Sequence, residues 1–114
     1  MAAKSPLTGF IGDTNSGGTM GAELKYAGYD AVVIEGRATT PLYLWIHADL
    51  VQLKEAGHLW GKTTGETRRA IERELGDPAV EVASIGPAGE NLVKYACIIS
   101  GVGRGHARCG SPRQ

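Results

Sequence analysis

Cysteine is scarce in this chain of 114 residues, phenylalanine occurs once, and neither sign of charge is in excess. The two cysteines, Cys97 and Cys109, build no disulfide framework, and neither stands in a CxxC pair of the kind that zinc, thioredoxin-like or iron–sulfur sites use. Twelve Lys and Arg balance twelve Asp and Glu. That removes the basic footprint that nucleic acid or an anionic membrane surface requires. No apolar run approaches the ~20 residues of a membrane span. The opening MAAKSPLTGF also lacks the apolar stretch of a secretory signal. The expectation is a cytoplasmic domain with a reduced thiol pool, and with neither nucleic acid nor membrane among its partners.

Glycine is what the chain has in quantity. Its 17 glycines are about twice the ~7% of ordinary proteins. They are spread through apolar, patterned sequence, so they mark tight turns and close backbone approach. The segment SPLTGFIG (5–12) reads as a short strand running into a loop, TNSGG (14–18) as that loop, and 19–27 as a two-turn helix closed by Gly28. YDAVVIEG (29–36) reads as a strand buried on both faces, with LYLWIH (42–47) pairing antiparallel to it and Val51 and Leu53 on a half-exposed edge strand. Thr63 and Glu66 form a capping-box pair ahead of a helix with Ala70, Ile71 and Leu75 on its apolar side, ended by Gly76. VEVASIG (80–86) and LVKYACIIS (92–100) are two further strands joined by the turn PAGEN (87–91), which makes Cys97 a small core residue. Five strands and two helices in mixed order indicate an α+β domain with mainly antiparallel sheet.

Most motif matches fail on spacing. Gly61-Lys62-Thr63 would need a glycine at 56, where Ala56 stands, so Thr63 is read as a cap and not as part of a phosphate loop. Gly101 and Gly103 begin a dinucleotide fingerprint whose third glycine would fall on His106. Glu23, Asp30, Glu35 and Glu55 form no defensible acid–base pair. His47 and His58, on different elements, read as packing residues and not as metal ligands. NSGGTMG and GRGHAR survive. Glycine-rich loop amides can face an anion, and Arg104 and Arg108 can add bidentate contacts to phosphate. A plain tight loop remains the alternative.

The stretches KSPLTGF (4–10), NSGG (15–18), GAELKYAGYDAVVIEG (21–36) and SIGPAGENLVKYACI (84–98) resemble the N-terminal domain of the tungsten-containing aldehyde ferredoxin oxidoreductase family. The resemblance implies a β-rich base that carries a tungsten bis-pterin (tungstopterin) cofactor, in an enzyme oxidising aldehydes to carboxylic acids with ferredoxin as electron acceptor. It also implies a [4Fe–4S] cluster in the complete enzyme, with ligands outside this chain. Asn15, Gly17 and Gly18 fall on one cofactor-contacting segment, and Arg104, Gly105 and Ala107 on a second. The backbone carbonyls of Asn15 and Gly105 correspond to ligands of the magnesium that bridges the pterin phosphates. No catalytic residue is assigned. Residues 1–104 are read as a partial domain and 105–114 as a divergent or frame-shifted tail, inactive as a fragment. The alternative is a stand-alone binding module that kept the fold without the cofactor and forms a homodimer.

Overall fold

The computed structural model describes residues 2–5, 7–101 and 105–107. The chain opens as a hairpin in which β1 (Ala2–Lys4) pairs antiparallel with β2 (Ile11–Asp13), Ala2 opposite Asp13. The expected strand at 5–12 starts late because Ser5 turns the chain. Its hydroxyl accepts the N–H groups of Leu7 and Thr8, and its carbonyl accepts that of Gly9. After the 14–19 loop comes α1 (Met20–Tyr26). It ends in a Schellman motif: Gly28, at φ 94°, donates to the Lys25 carbonyl and Tyr29 donates to that of Leu24.

The strand expected at 29–36 does not form. Residues 31–40 make no hydrogen bond with another described residue, and Val33 and Ile34 are 81% and 76% exposed. β3 (Leu42–His47) instead takes β4 (Leu50–Glu55) as its antiparallel partner across the two-residue turn Ala48-Asp49, Trp45 opposite Gln52, and among the described residues no strand lies alongside 29–36 to complete its backbone pairing. In β4 every side chain but that of Lys54 is exposed, so the apolar positions are not the covered ones. Val51 and Leu53 face solvent, whereas the Lys54 ammonium lies 4.4 Å from the centre of the Trp45 ring.

A 3-10 turn (Gly57–Leu59) leads into α2 (Thr64–Leu75). The capping box is present: the Thr63 hydroxyl accepts the Glu66 N–H at 3.3 Å, and the Glu66 carboxylate accepts the Thr63 N–H at 2.9 Å. Gly76 closes the helix at φ 66°. Ala56, Leu59, Ile71 and Val82 form the core, with Tyr43, Ala70, Leu75 and Val80 packed on it. Glu74 ties the same three elements together from the rim. One carboxylate oxygen accepts the Tyr43 hydroxyl at 2.8 Å, and the other lies 3.0 Å from His58 Nε2.

The third sheet has the order β5 (Ala83–Ser84), β6 (Ile98–Ser100), β7 (Gly105–Ala107), all antiparallel. Both expected strands are shorter than 80–86 and 92–100. Between them PAGEN forms one helical turn, α3 (Pro87–Glu90), where Pro87 supplies a preset φ and loses no needed donor. Gly89 is fixed there because a Cβ would lie 2.7 Å from that of Ile85. Cys97 is exposed, not a core residue. The neighbouring Ala96 takes the buried position. Small antiparallel sheets and short helices make this an α+β fold, as composition and order indicated.

Two outcomes are expected. Thr63→Ala lowers the unfolding free energy at neutral pH by about 1 kcal/mol, measured by urea titration. Hydrogen bonds from the Thr63 hydroxyl and backbone hold the Glu66 carboxyl below its ordinary range, so this stabilisation exists above the unfolded value and is lost as pH falls through the lowered folded one. The cost of the substitution therefore shrinks in acid. Burial first, then the Glu74 carboxylate, push the Tyr43 phenol up to about 12 from the ordinary 10.0. The neutral phenol thus stabilises the fold below the ordinary value, and that contribution is lost as pH rises through the folded one. An ultraviolet titration shows a phenolate step near 12, which Tyr43→Phe removes.

Candidate functional site

The segment from Thr14 to Thr19 crosses from β2 to α1 with its side chains mostly exposed. Among the described residues, no hydrogen bond engages the N–H groups of Asn15, Gly17 or Gly18. Gly18 sits at φ 97°, a conformation that side chains disfavour, whereas Gly17 lies outside that region. A Cβ at either would meet nothing within 4 Å. The glycine pair therefore serves one backbone turn and one open approach, and no packed neighbour demands either residue. Thr19 precedes α1 without capping it. Its hydroxyl is donated to Glu81 Oε1.

The second candidate segment follows β6. Ser100 is buried and pairs with Gly105, while Ile98 pairs with Ala107, so both Gly105 and Ala107 lie in the backbone of β7. Arg104 lies outside the described residues, as do Arg108 and Cys109. Gly101, at φ 72°, begins the turn, and its N–H donates to the Val82 carbonyl at 3.3 Å.

These two segments, 84 residues apart at Ser16 and Ser100, meet through a 3.3 Å contact between the two hydroxyls. Asn15 and Gly17 flank that contact from one side, and Gly105 is the ladder partner of Ser100 on the other. Glu81 stands at the same junction. Its Oε1 holds Thr19, and its Oε2 is buried without a hydrogen-bond partner among the described residues, 3.6 Å from where a Gly101 Cβ would lie. Motif reading passed over Glu81. The available signal was a lone carboxylate between Val80 and Val82 in an apolar run.

The rejected motifs have ordinary structural roles. The Gly61 N–H is taken by the Glu90 carboxylate at 2.9 Å, an anion supplied by the chain itself. His58 pairs with Glu74, and His47 stacks on Trp45 with ring centres 6.0 Å apart. Asp30 pairs with Lys25 on the surface. Among the described residues no three His, Cys, Asp or Glu side chains form a metal-binding group. A hard cation at the two-loop junction would accordingly take backbone and ligand oxygens. No helix among the described residues is long and apolar enough to cross a membrane.

Comparison with known proteins places this junction in context. The chain is 52% identical over 110 residues to the tungsten-containing aldehyde ferredoxin oxidoreductase of Pyrococcus furiosus, covering 96% of this chain and 18% of that protein. The same identity and coverage hold for the enzyme of that name from Thermococcus kodakarensis. The aliphatic sulfonate oxidoreductase, WOR-like subunit, of Pyrococcus furiosus is 36% identical over 113 residues, with 88% of this chain and 18% of that protein covered. Among solved structures, the active-site complex BamBC of benzoyl-coenzyme A reductase with 1,5-dienoyl-CoA superposes with a TM-score of 0.91 at 42% identity. That superposition covers 96% of this chain and 16% of that one. The chain thus spans less than a fifth of the proteins it matches. The family described as aldehyde ferredoxin oxidoreductase, N-terminal domain, matches residues 1–112, and this chain belongs to it.

Proposed function

We propose that this chain forms part of the cofactor-binding base of a tungsten bis-pterin oxidoreductase that converts aldehydes to carboxylic acids in the cytoplasm and passes electrons to ferredoxin. The observation that carries the reading is the Ser16–Ser100 contact, which joins the two segments assigned to the cofactor by family resemblance. The residues present fit such a group. Two glycines open onto free space, unengaged amides lie beside them, and the oxygen donors on offer suit a hard cation. When bound, the cofactor supplies the redox chemistry, aldehyde and water becoming carboxylic acid with release of two electrons and two protons.

The chain's own part is to bind and orient. In this reading the backbone carbonyls of Asn15 and Gly105 would hold a magnesium ion that accompanies the cofactor. The Gly17 and Gly18 backbone would admit a phosphate without a Cβ in the way, and Arg104 would supply the neutralising charge, with Ala107 completing the second segment. In this reading the [4Fe–4S] cluster and ferredoxin docking belong to the greater length of the matching enzymes.

The segment is tested by grafting this chain in place of the 110 matching residues of the Pyrococcus furiosus enzyme. Gly17→Val adds a side chain where the fold has room, so the melting temperature holds. Bound tungsten and pterin fall at least roughly tenfold, as expected when a metal site's support is disturbed. Unchanged tungsten content in the folded variant would refute the reading.

A second reading, a stand-alone dimerisation module, is favoured by the unpaired run Val32–Ile34, whose apolar side chains face solvent. Size-exclusion chromatography of the 114-residue chain then gives a dimer. A clean monomer removes this alternative.

A further inference from the structure

α1 has a peculiar attachment. It is seven residues long and none of its side chains is buried. A helix of that length is marginal by itself, so its position needs a tether. The Ser16–Ser100 contact fixes the loop before it. A second side-chain tether is Thr19, whose hydroxyl leaves the helix end uncapped and reaches 62 residues along the chain to Glu81. The other oxygen of that carboxylate is buried beside Gly101, the residue that follows β6. A Cβ at Gly101 would meet that oxygen at 3.6 Å, an ordinary contact distance that places Glu81 directly alongside this residue.

We infer that Glu81 is a positioning residue, a latch that holds the Asn15–Thr19 loop against the β5–β6 pair beside Gly101 and so sets where that loop stands in the proposed cofactor site. The inference rests on the cofactor-binding reading above, but the latch itself can be measured without cofactor. A carboxylate gives a hydroxyl donor a stronger bond than a neutral acceptor. One oxygen of the carboxylate is buried, so loss of the group leaves a gap beside Gly101 as well as an unmatched Thr19 hydroxyl.

Hydrogen exchange on the full chain reads the latch through hydrogen-bonded amides: Glu23 and Ala27 in and after α1, and Gly101. Glu81→Ala and Thr19→Val each speed exchange at these amides roughly tenfold, the loss expected for a hydrogen bond to a charged group. The double variant goes no further than either single one, because both remove one interaction. Glu81→Gln, which keeps a neutral and weaker acceptor for Thr19, falls between the parent and Glu81→Ala. Amides of α2 are unmoved. Unchanged exchange overturns the latch, as does acceleration that includes α2 equally, since that is general destabilisation.

In the grafted enzyme Glu81→Ala lowers tungsten content as Gly17→Val does. If exchange rises and Gly17→Val depletes tungsten while Glu81→Ala does not, the clamp stands and the role of Glu81 in it is overturned. If neither substitution depletes tungsten, the cofactor reading fails first and takes this inference with it.

Discussion

Val82 is the point where the packing of this domain and the geometry of its loops meet. Its side chain is buried against Ala56, Leu59 and Ile71. Its carbonyl accepts the N–H of Gly101. The residue before it, Glu81, reaches Thr19. In extended backbone successive side chains point to opposite sides, so a valine seated in the core aims the preceding glutamate away from it. Docking of α2 on the β3–β4 hairpin therefore does more than bury apolar surface. It fixes the height and direction from which residue 81 meets the glycine-rich loop and residue 101 leaves the sheet. The Tyr43–Glu74–His58 cluster reinforces that docking at its rim, with each carboxylate oxygen occupied by a different element.

What was legible in the sequence follows from the range of the forces involved. Both ends of α2 were readable because a capping box and a left-handed glycine are settled within a few residues of chain, as Thr63, Glu66 and Gly76 are. The close of α1 at Gly28 was readable for the same reason. Strands were read less well, since a strand exists only where a partner lies alongside. Val32, Val33 and Ile34 have the composition of a buried strand, yet nothing among the described residues pairs with them. Parity was also misjudged where pairing was misjudged. Ala96 turns inward and Cys97 outward, and Val51 and Leu53 face solvent. At the candidate site, TNSGG was recognisable as an open loop from its glycines. Its link to Glu81 spans 62 residues and carries no local signature.

The small core bears on how the rest of the surface should be understood. Its four members include an alanine, while Phe10, Ile11, Val33, Ile34 and Leu53 are each more than two-thirds exposed. Burying a valine, isoleucine or phenylalanine contributes about 1.5–3 kcal/mol. Several such contributions are unused here. Apolar surface on this scale is what a domain presents when further protein packs over it, and it favours association whenever that cover is missing.

A binding site built from the backbone of two loops has a particular dependence on such packing. Carbonyl and amide donors are present at every residue, so their chemistry survives most substitutions. Their mutual placement does not, because it rests on whatever holds the loops together. Here that support consists of a hydroxyl pair and a carboxylate bridge between exposed or partly buried groups. Each is worth about 1–3 kcal/mol at most. An anionic ligand engaging both loops would add its own binding free energy to the same closed arrangement, and by linkage the arrangement strengthens the binding in return. Loop order and ligand affinity would then be one equilibrium, and under the proposed reading a change at residue 81 that touches no ligand atom would be felt at Asn15 and Gly105 alike.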